Sequence, residues 1–407
     1  RVFWRSPKLS KIVYRGYVGS GSALPATLSV ISTNAFATCA AGDLLVEGVE
    51  HLDTMAFAES GFTSVTFGEN CSFEKLKIQT FYNAENLTKV VLPDTLTEIG
   101  CEAFYGTSAL KSLSLPATVE IIDGGAFAYS GIMSIDISSV TEFGYDDDTD
   151  YADYSYDEGY IFYDCKDLAS VTLGDDLEIL PGGMFRGCIA LKNIIIPDSV
   201  TTIESYCFYG SGIEYVYISE NIEDIGTGAF ASLNMKEIEV DANNSYYTYT
   251  DGFLVEDGGK LIAYASGYAA DKIVLPEDVT SVSQYAFANL AYAGEVEIPS
   301  SLKTIPKYLF DGATGIESVI IDEGVTKIDM YAFQGCSSLE TVQFPNTLTS
   351  IGNAAFRNCV SLKNIVWPSD GGNLTIGSSA FSNCGLESVE LPAAIKNIGN
   401  YAFAYCN

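Results

Sequence analysis

The chain has 407 residues, of which 47% are hydrophobic, and it carries a net charge of −32 at pH 7. Nucleic acids and anionic membranes bind basic surfaces, so this charge argues against both as partners. The sequence contains no run of eighteen apolar residues, so it predicts no transmembrane segment.

Residues 1–23 form a basic N-terminal arm or cap in our interpretation. Five basic residues and no acid precede Asp43, although the rest of the chain is strongly acidic. The arm could dock on that acidic remainder or be a solvated end, and both alternatives stay open. It has no apolar core of a signal peptide, so any export signal is expected outside this sequence.

From residue 24 onward, one motif of about 23 residues recurs, and residues 332–354 are a complete copy. It has an aromatic anchor, a small residue or Cys three positions later, a Leu, a short alternating run that often ends in Pro, and then a Leu and an Ile. A fixed period over this length is typical of a solenoid, in which each turn is buried by its neighbours. The anchors are Phe36, Phe57, Phe81, Phe104, Phe127, Phe162, Phe185, Phe208, Phe230, Phe287, Phe310, Phe333, Phe356, Phe381 and Phe403.

The alternating runs predict one short strand in each repeat, which Pro would close because it cannot donate a ladder bond. Four runs are representative: 110–116, 191–197, 339–345 and 386–392. A second apolar segment follows each run, for example in 325–333, and it could be extended or a turn.

The anchor, the Cys slot and the L-x-x-V-x-[IF]-P and V-x-x-I patterns resemble the BspA-like, or treponemal-type, bacterial leucine-rich repeats. The resemblance covers residues 24–407. It implies a β-rich leucine-rich-repeat solenoid, a right-handed curved array of about 15 repeats. It also implies a secreted or cell-surface protein, and some members of the family look like adhesins. The family motif is structural, so the resemblance implies no catalytic residue.

Two long anchor intervals predict insertions, so the repeats are expected over 24–240 and 272–407, with an uncapped C-terminal end. The first insertion, 141–160, is rich in Tyr and Asp. The second, 241–271, reads as a β-hairpin with strands Phe253–Glu256 and Lys260–Tyr264 around an Asp-Gly-Gly turn.

The acidic insertion contains a weak calcium-loop pattern. The expected turn glycine is replaced by Tyr151, and an aspartate stands at position twelve in place of glutamate. A disordered or weakly ordered acidic loop is the interpretation that we favour over a calcium site. The candidate ligands are Asp146, Asp148, Asp150 and Asp157.

Seven of the ten cysteines lie three residues after an anchor, where other repeats carry Ser, Ala or Thr. Such a slot favours small buried free thiols, and disulfides between turns are the alternative. The one histidine, His51, lies between positions that match the inward pattern, so it is expected at the surface. The sequence therefore predicts no metal site of the Cys/His type and no cofactor.

The strand positions beside the inward residues should line the concave face of a leucine-rich repeat. In two stretches these positions are aromatic and acidic, which makes them the best candidates for a recognition surface. An ordinary solvated sheet face is the interpretation that base rates favour. The candidate ligand-binding residues are Tyr215, Tyr217, Glu237, Glu239, Glu295 and Glu297.

The pattern contains repeats but no catalytic constellation, so we expect a non-catalytic extracellular or cell-surface binding protein. It would present a rigid acidic concave surface to a protein or glycan on a host or neighbouring cell. One alternative is a structural spacer that holds another domain off the cell surface. A glycoside-acting enzyme is a further alternative, which would require two facing carboxylates in a pocket.

Overall fold

The structure is a computed structural model, and it divides into two compact units. Unit 1 comprises residues 1–213 and 221–226, and unit 2 comprises 214–220 and 227–407. The described residues are 5–6, 11–12, 22–39, 42–144, 159–232, 235–265, 271–276, 278–291, 294–369, 373–393 and 395–406.

Short strands make up the regular structure of the described residues, and no helix among these residues is long and apolar enough to cross a membrane. In chain order the strands are β1 (Ser22–Ala23), β2 (Val30–Ile31), β3 (Asp43–Val46), β4 (His51–Leu52), β5 (Ser64–Phe67), β6 (Lys75–Leu76), β7 (Lys89–Val91), β8 (Glu98–Ile99), β9 (Ile121–Asp123), β10 (Ser134–Asp136), β11 (Glu142–Gly144), β12 (Ser170–Thr172), β13 (Ile179–Leu180), β14 (Thr202–Ile203), β15 (Tyr215–Ile218), β16 (Asp224–Ile225), β17 (Glu237–Val240), β18 (Tyr247–Thr250), β19 (Phe253–Glu256), β20 (Lys260–Tyr264), β21 (Lys272–Val274), β22 (Ser281–Val282), β23 (Gly294–Ile298), β24 (Thr304–Ile305), β25 (Ile316–Ile321), β26 (Lys327–Ile328), β27 (Thr341–Gln343), β28 (Ser350–Ile351), β29 (Asn364–Val366), β30 (Leu374–Ile376) and β31 (Ile395–Ile398).

Each unit carries two rows of parallel strands, one from each apolar segment of the repeat. In unit 1 the first row contains the sheet β1–β3–β5–β7 and the pair β10–β12, and the second contains β2–β4, β6–β8–β9–β11 and β13–β14–β16. In unit 2 the first row is β15–β17 and β21–β23–β25–β27–β29, and the second includes β24–β26–β28–β30–β31. The second apolar segment is therefore extended, which the sequence left open.

The phenylalanine anchors form stacks inside each unit, as the period predicts. In unit 1, eight rings from Phe36 to Phe208 stack with centroids 5.2–5.7 Å apart. In unit 2, six rings from Phe287 to Phe403 stack at 4.9–5.3 Å. All anchors except Phe403 are buried. Successive turns thus cover one another's rings, which confirms the β-rich leucine-rich-repeat solenoid.

The predicted hairpin is present in unit 2, and its second strand forms part of a turn of the solenoid. Its two strands pair antiparallel, and β18 adds a third strand that the sequence analysis missed. The Tyr264 ring stacks on Phe287 with centroids 5.4 Å apart, and β20 pairs in parallel with β22. Tyr264 therefore occupies an anchor position, 23 residues before Phe287. The sequence pattern required Phe at this position, so it did not identify Tyr264 as an anchor.

Three of the predicted strands do not form as strands. Residues 110–116 make a single bridge, and residues 191–197 and 386–392 make no ladder. A three-residue ladder has only one or two hydrogen bonds, so a small displacement removes it. These segments stay packed through inward side chains such as Leu191 and Leu386, which are 0% and 5% exposed.

All ten cysteines are free thiols, as predicted. Six of the seven cysteines in the slot three residues after an anchor donate to the anchor carbonyl of the preceding turn. Cys188 donates to Phe162 O at 3.0 Å, and Cys359 donates to Phe333 O at 3.1 Å. The thiol is a weak donor, but it can still form a hydrogen bond to this buried carbonyl, so cysteine suits the slot.

The buried thiols predict that stability falls at alkaline pH. Burial raises the pKa of Cys165 from 9.0 to about 12, and it raises the pKa of Cys188 and Cys207 well above 9.0. The unfolded chain loses these protons first, so the free energy of unfolding should be unaffected by them below about pH 8 and fall as the pH rises above 9. Urea unfolding from pH 7 to pH 10 measures this slope. A Cys188→Ala variant should show a shallower slope, and an identical slope would contradict the assignment.

Candidate functional site

Four of the six candidate residues lie together on one face of unit 2. β15 and β17 pair in parallel, with Tyr215 opposite Glu237 and Tyr217 opposite Glu239. Their neighbour Val216 is fully buried, whereas both tyrosines are half-buried and both glutamates are exposed. This alternation is the period of two that the sequence indicated, so the strand pairing places the four side chains side by side.

Two hydrogen bonds hold the tyrosine rings against carboxylates. The Tyr215 hydroxyl donates to Glu239, and the Tyr217 hydroxyl donates to Asp241 Oδ2 at 2.6 Å. The bond to Glu239 raises the pKa of Tyr215 to about 12, so this phenol stays protonated. The bond from Tyr217, followed by one from the Asn243 backbone, lowers the pKa of Asp241. The face therefore combines oriented phenols with carboxylates that accept their hydrogen bonds.

Asp241 is a site residue that the sequence analysis missed. It follows directly after β17, and its N–H donates to Ile218 O at 2.9 Å, so the ladder with β15 continues through it. Glu237, Glu239 and Asp241 are alternate residues and therefore share one side of the strand. Extending the period of two by one more residue would have found it.

These carboxylates line a cleft of about 480 Å³ between β17 and β18. Glu237, Glu239 and Asp241 lie on one side, and the half-buried Tyr249 and the buried Tyr247 lie on the other. Carboxylates attract a cationic group, and aromatic faces stabilise it further when it lies over the ring. The arrangement can therefore bind a basic side chain.

Glu295 and Glu297 belong to a different group of charges in unit 2. They lie on β23, where Lys272 of β21 forms ion pairs with both, at 2.9 and 2.7 Å. Hydrogen bonds to Glu297 and Glu295 raise the pKa of Lys272, so it stays charged. The two carboxylates are therefore partly neutralised, and no ladder joins their sheet to β15–β17.

The remaining candidate positions add no second site in the described part of the chain. The calcium candidates Asp146, Asp148, Asp150 and Asp157 lie outside the described residues. Within the described ranges, no group of three or more His, Cys, Asp and Glu side chains could hold a metal ion. His51 is exposed on β4 while Leu52 is buried, as the pattern predicted.

Comparisons with known proteins agree with the repeat architecture. A leucine-rich cell surface protein from Faecalibacterium prausnitzii A2-165 is 23% identical, with a TM-score of 0.54 over 84% of this chain and 86% of that chain. A leucine-rich repeat protein from Eubacterium ventriosum is 20% identical, with a TM-score of 0.48 over 85% and 83%. No curated protein sequence matches the chain.

The family comparison covers more than half of the chain. The model of the BspA type leucine-rich repeat region matches in six copies, over residues 29–146, 158–251 and 263–374. These ranges contain every phenylalanine anchor except Phe381 and Phe403, and they contain the strands of the candidate face. The chain therefore belongs to the BspA-type leucine-rich repeat family.

Proposed function

We propose that this protein is a non-catalytic binding protein of the bacterial cell surface that holds a basic region of a partner protein. The surface location is supported by the F. prausnitzii neighbour, whose description is that of a leucine-rich cell surface protein. The binding role is supported by the family, whose repeats stack into extended surfaces that bind other molecules.

One observation carries the choice of ligand. Glu237, Glu239 and Asp241 line one cleft together with Tyr247 and Tyr249, in a chain with a net charge of −32. Basic side chains complement this charge, and the long-range field of the acidic chain raises their association rate. A neutral glycan could donate hydrogen bonds to these carboxylates but would not complement their charge. The favoured partner is therefore a protein with exposed lysine or arginine residues.

A charge-reversal pair tests the proposal. The wild-type protein and its Glu239→Lys and Glu85→Lys variants would be measured against an immobilised panel of extracellular-matrix proteins and glycans. Both variants change the net charge equally, but only Glu239 lies in the cleft. We expect binding to basic proteins that weakens with salt and falls about tenfold for Glu239→Lys, or roughly 1.4 kcal/mol. Glu85→Lys should change it less than twofold.

Two results would count against this function. The first is that no protein in the panel binds to the wild type. The second is binding that both variants weaken equally, because that would assign the effect to net charge alone. Preferential binding to a neutral glycan would indicate that the partner is a glycan and not a protein.

A further inference from the structure

A second cleft of unit 2 lies beside the acidic cleft between β17 and β18, and the two clefts share part of their lining. The second cleft has a volume of about 680 Å³. Its lining residues come from β18, β19 and the end of β20, and from β21 with the residues that follow it. Thr248 and Thr250 of β18 line both clefts. One strand therefore separates the two clefts.

The pairing of the inserted strands places apolar side chains along the second cleft. Thr250 pairs with Phe253, and Phe253 pairs with Tyr264. Thr248 pairs with Val255. Residues directly opposite one another in a ladder share one face of the sheet. The Phe253 and Tyr264 rings lie with centroids 4.9 Å apart, so two aromatic rings and a valine form one wall of the cleft.

The residues of β21 and the position after it supply the other wall. Ile273 and Leu275 are buried, whereas Val274 between them is 52% exposed. Val255 on the opposite wall is half-buried. Both valines therefore leave apolar surface in contact with water, and an apolar side chain that covers this surface is stabilised by its burial. We call this second cleft the apolar cleft.

The charged residues that line the apolar cleft are compatible with a basic ligand. Asp251 and Asp278 are exposed. Lys272 forms ion pairs with Glu295 and Glu297, at 2.9 and 2.7 Å, so its positive charge is compensated. The two aspartates attract the same cations as the acidic cleft. A second copy of this chain is the competing occupant, and the net charge of −32 on each copy opposes it.

We propose that the apolar cleft binds an aromatic or branched aliphatic side chain of the same partner segment whose basic residues bind the acidic cleft. This inference rests on the proposed function and adds a second requirement to its ligand. Neighbouring strands lie roughly 4.8 Å apart, so two strand spacings, about 10 Å, correspond to about three residues of an extended segment. The favoured ligand therefore carries an apolar side chain about three residues from a lysine or arginine.

Three synthetic peptides test the two requirements separately. The parent peptide has ten residues, with three consecutive lysines and one phenylalanine three positions after the last lysine, and serine and glycine elsewhere. One analogue replaces the phenylalanine by serine, and the other replaces all lysines by glutamine. Each is titrated against the full chain by fluorescence anisotropy. We expect binding to weaken at least fivefold for the serine analogue, which loses apolar burial, and at least tenfold for the glutamine analogue, which loses charge.

A matched pair of protein variants locates the apolar contact. Val274 and Val360 are 52% and 51% exposed in unit 2, but only Val274 belongs to the lining of the apolar cleft. Either change to aspartate adds a carboxylate, which by itself attracts a basic peptide, so a loss of binding reports the apolar contact. We expect Val274→Asp to weaken the parent peptide at least fivefold and to change the serine analogue less than twofold. Val360→Asp should change both less than twofold, and circular dichroism melts establish that both variants fold.

The outcomes separate this inference from the proposed function. Equal binding of the parent peptide and the serine analogue would overturn the apolar requirement and leave charge-based binding intact. Equal losses for Val274→Asp and Val360→Asp would also overturn it. A glutamine analogue that binds as tightly as the parent would overturn the link between the two clefts. No binding of the parent peptide up to about 1 mM would overturn the inference as well, while the panel of partner proteins judges the function independently.

Discussion

Replacing Phe333 by alanine is expected to lower the free energy of unfolding of unit 2 by about 4 kcal/mol, the range for large aromatic side chains in cores. The Phe333 ring is fully buried and stacks between Phe310 and Phe356, with centroids 4.9 Å away on each side. Its removal leaves a cavity between two turns, and each turn depends on its neighbours for burial. Urea denaturation followed by circular dichroism measures the loss.

An exposed aromatic residue of the same unit provides the control for Phe333→Ala. The Tyr405 side chain is 76% exposed, so Tyr405→Ala should change the free energy of unfolding by less than about 0.5 kcal/mol. If both variants lost similar stability, or if Phe333→Ala were neutral, the ring stack would not be the core of the solenoid.

Replacing Gly131 by alanine is expected to lower the free energy of unfolding of unit 1 by about 3 kcal/mol, at the upper end of overpacking costs. Gly131 lies four residues after an anchor, and its N–H donates to Thr107 O of the preceding turn at 3.1 Å. A Cβ atom there would lie 2.0 Å from the Ser108 carbonyl oxygen. The obstacle is backbone, so two turns must move apart to admit a methyl group.

A substitution at a second glycine is the control that separates the effect of this steric clash from the effect of backbone conformation. Gly210 has a φ of +64°, and a Cβ atom there would have no neighbour within 4 Å. Gly210→Ala should therefore cost only the left-handed conformational penalty of about 1–2 kcal/mol. Thermal and urea unfolding of both variants would compare them, and an equal or larger loss for Gly210→Ala would contradict the close approach of turns at Gly131.

The sequence by itself determined the repeat, the fold class and the ring stacks. Each turn is buried only by its neighbours, so one anchor spacing of 23 residues is enough to indicate where the next ring lies. The same local logic predicted the free thiols, because Ser, Ala and Thr occupy the Cys slot elsewhere. It also predicted that Tyr215, Tyr217, Glu237 and Glu239 share one face, since side chains alternate along each of two paired strands.

Only the tertiary structure decided how the candidate residues are grouped. It paired Lys272 with Glu295 and Glu297, extended the acidic row to Asp241, and placed Tyr264 in the anchor stack. Asp241 and Tyr264 follow the period of two and the 23-residue spacing, although the sequence pattern did not include them. The structure also placed β18 across a cleft from β17, and this position follows no period because β18 lies in the insertion at 241–271. The geometry there depends on how the inserted strands pack, and no spacing in the sequence encodes that packing.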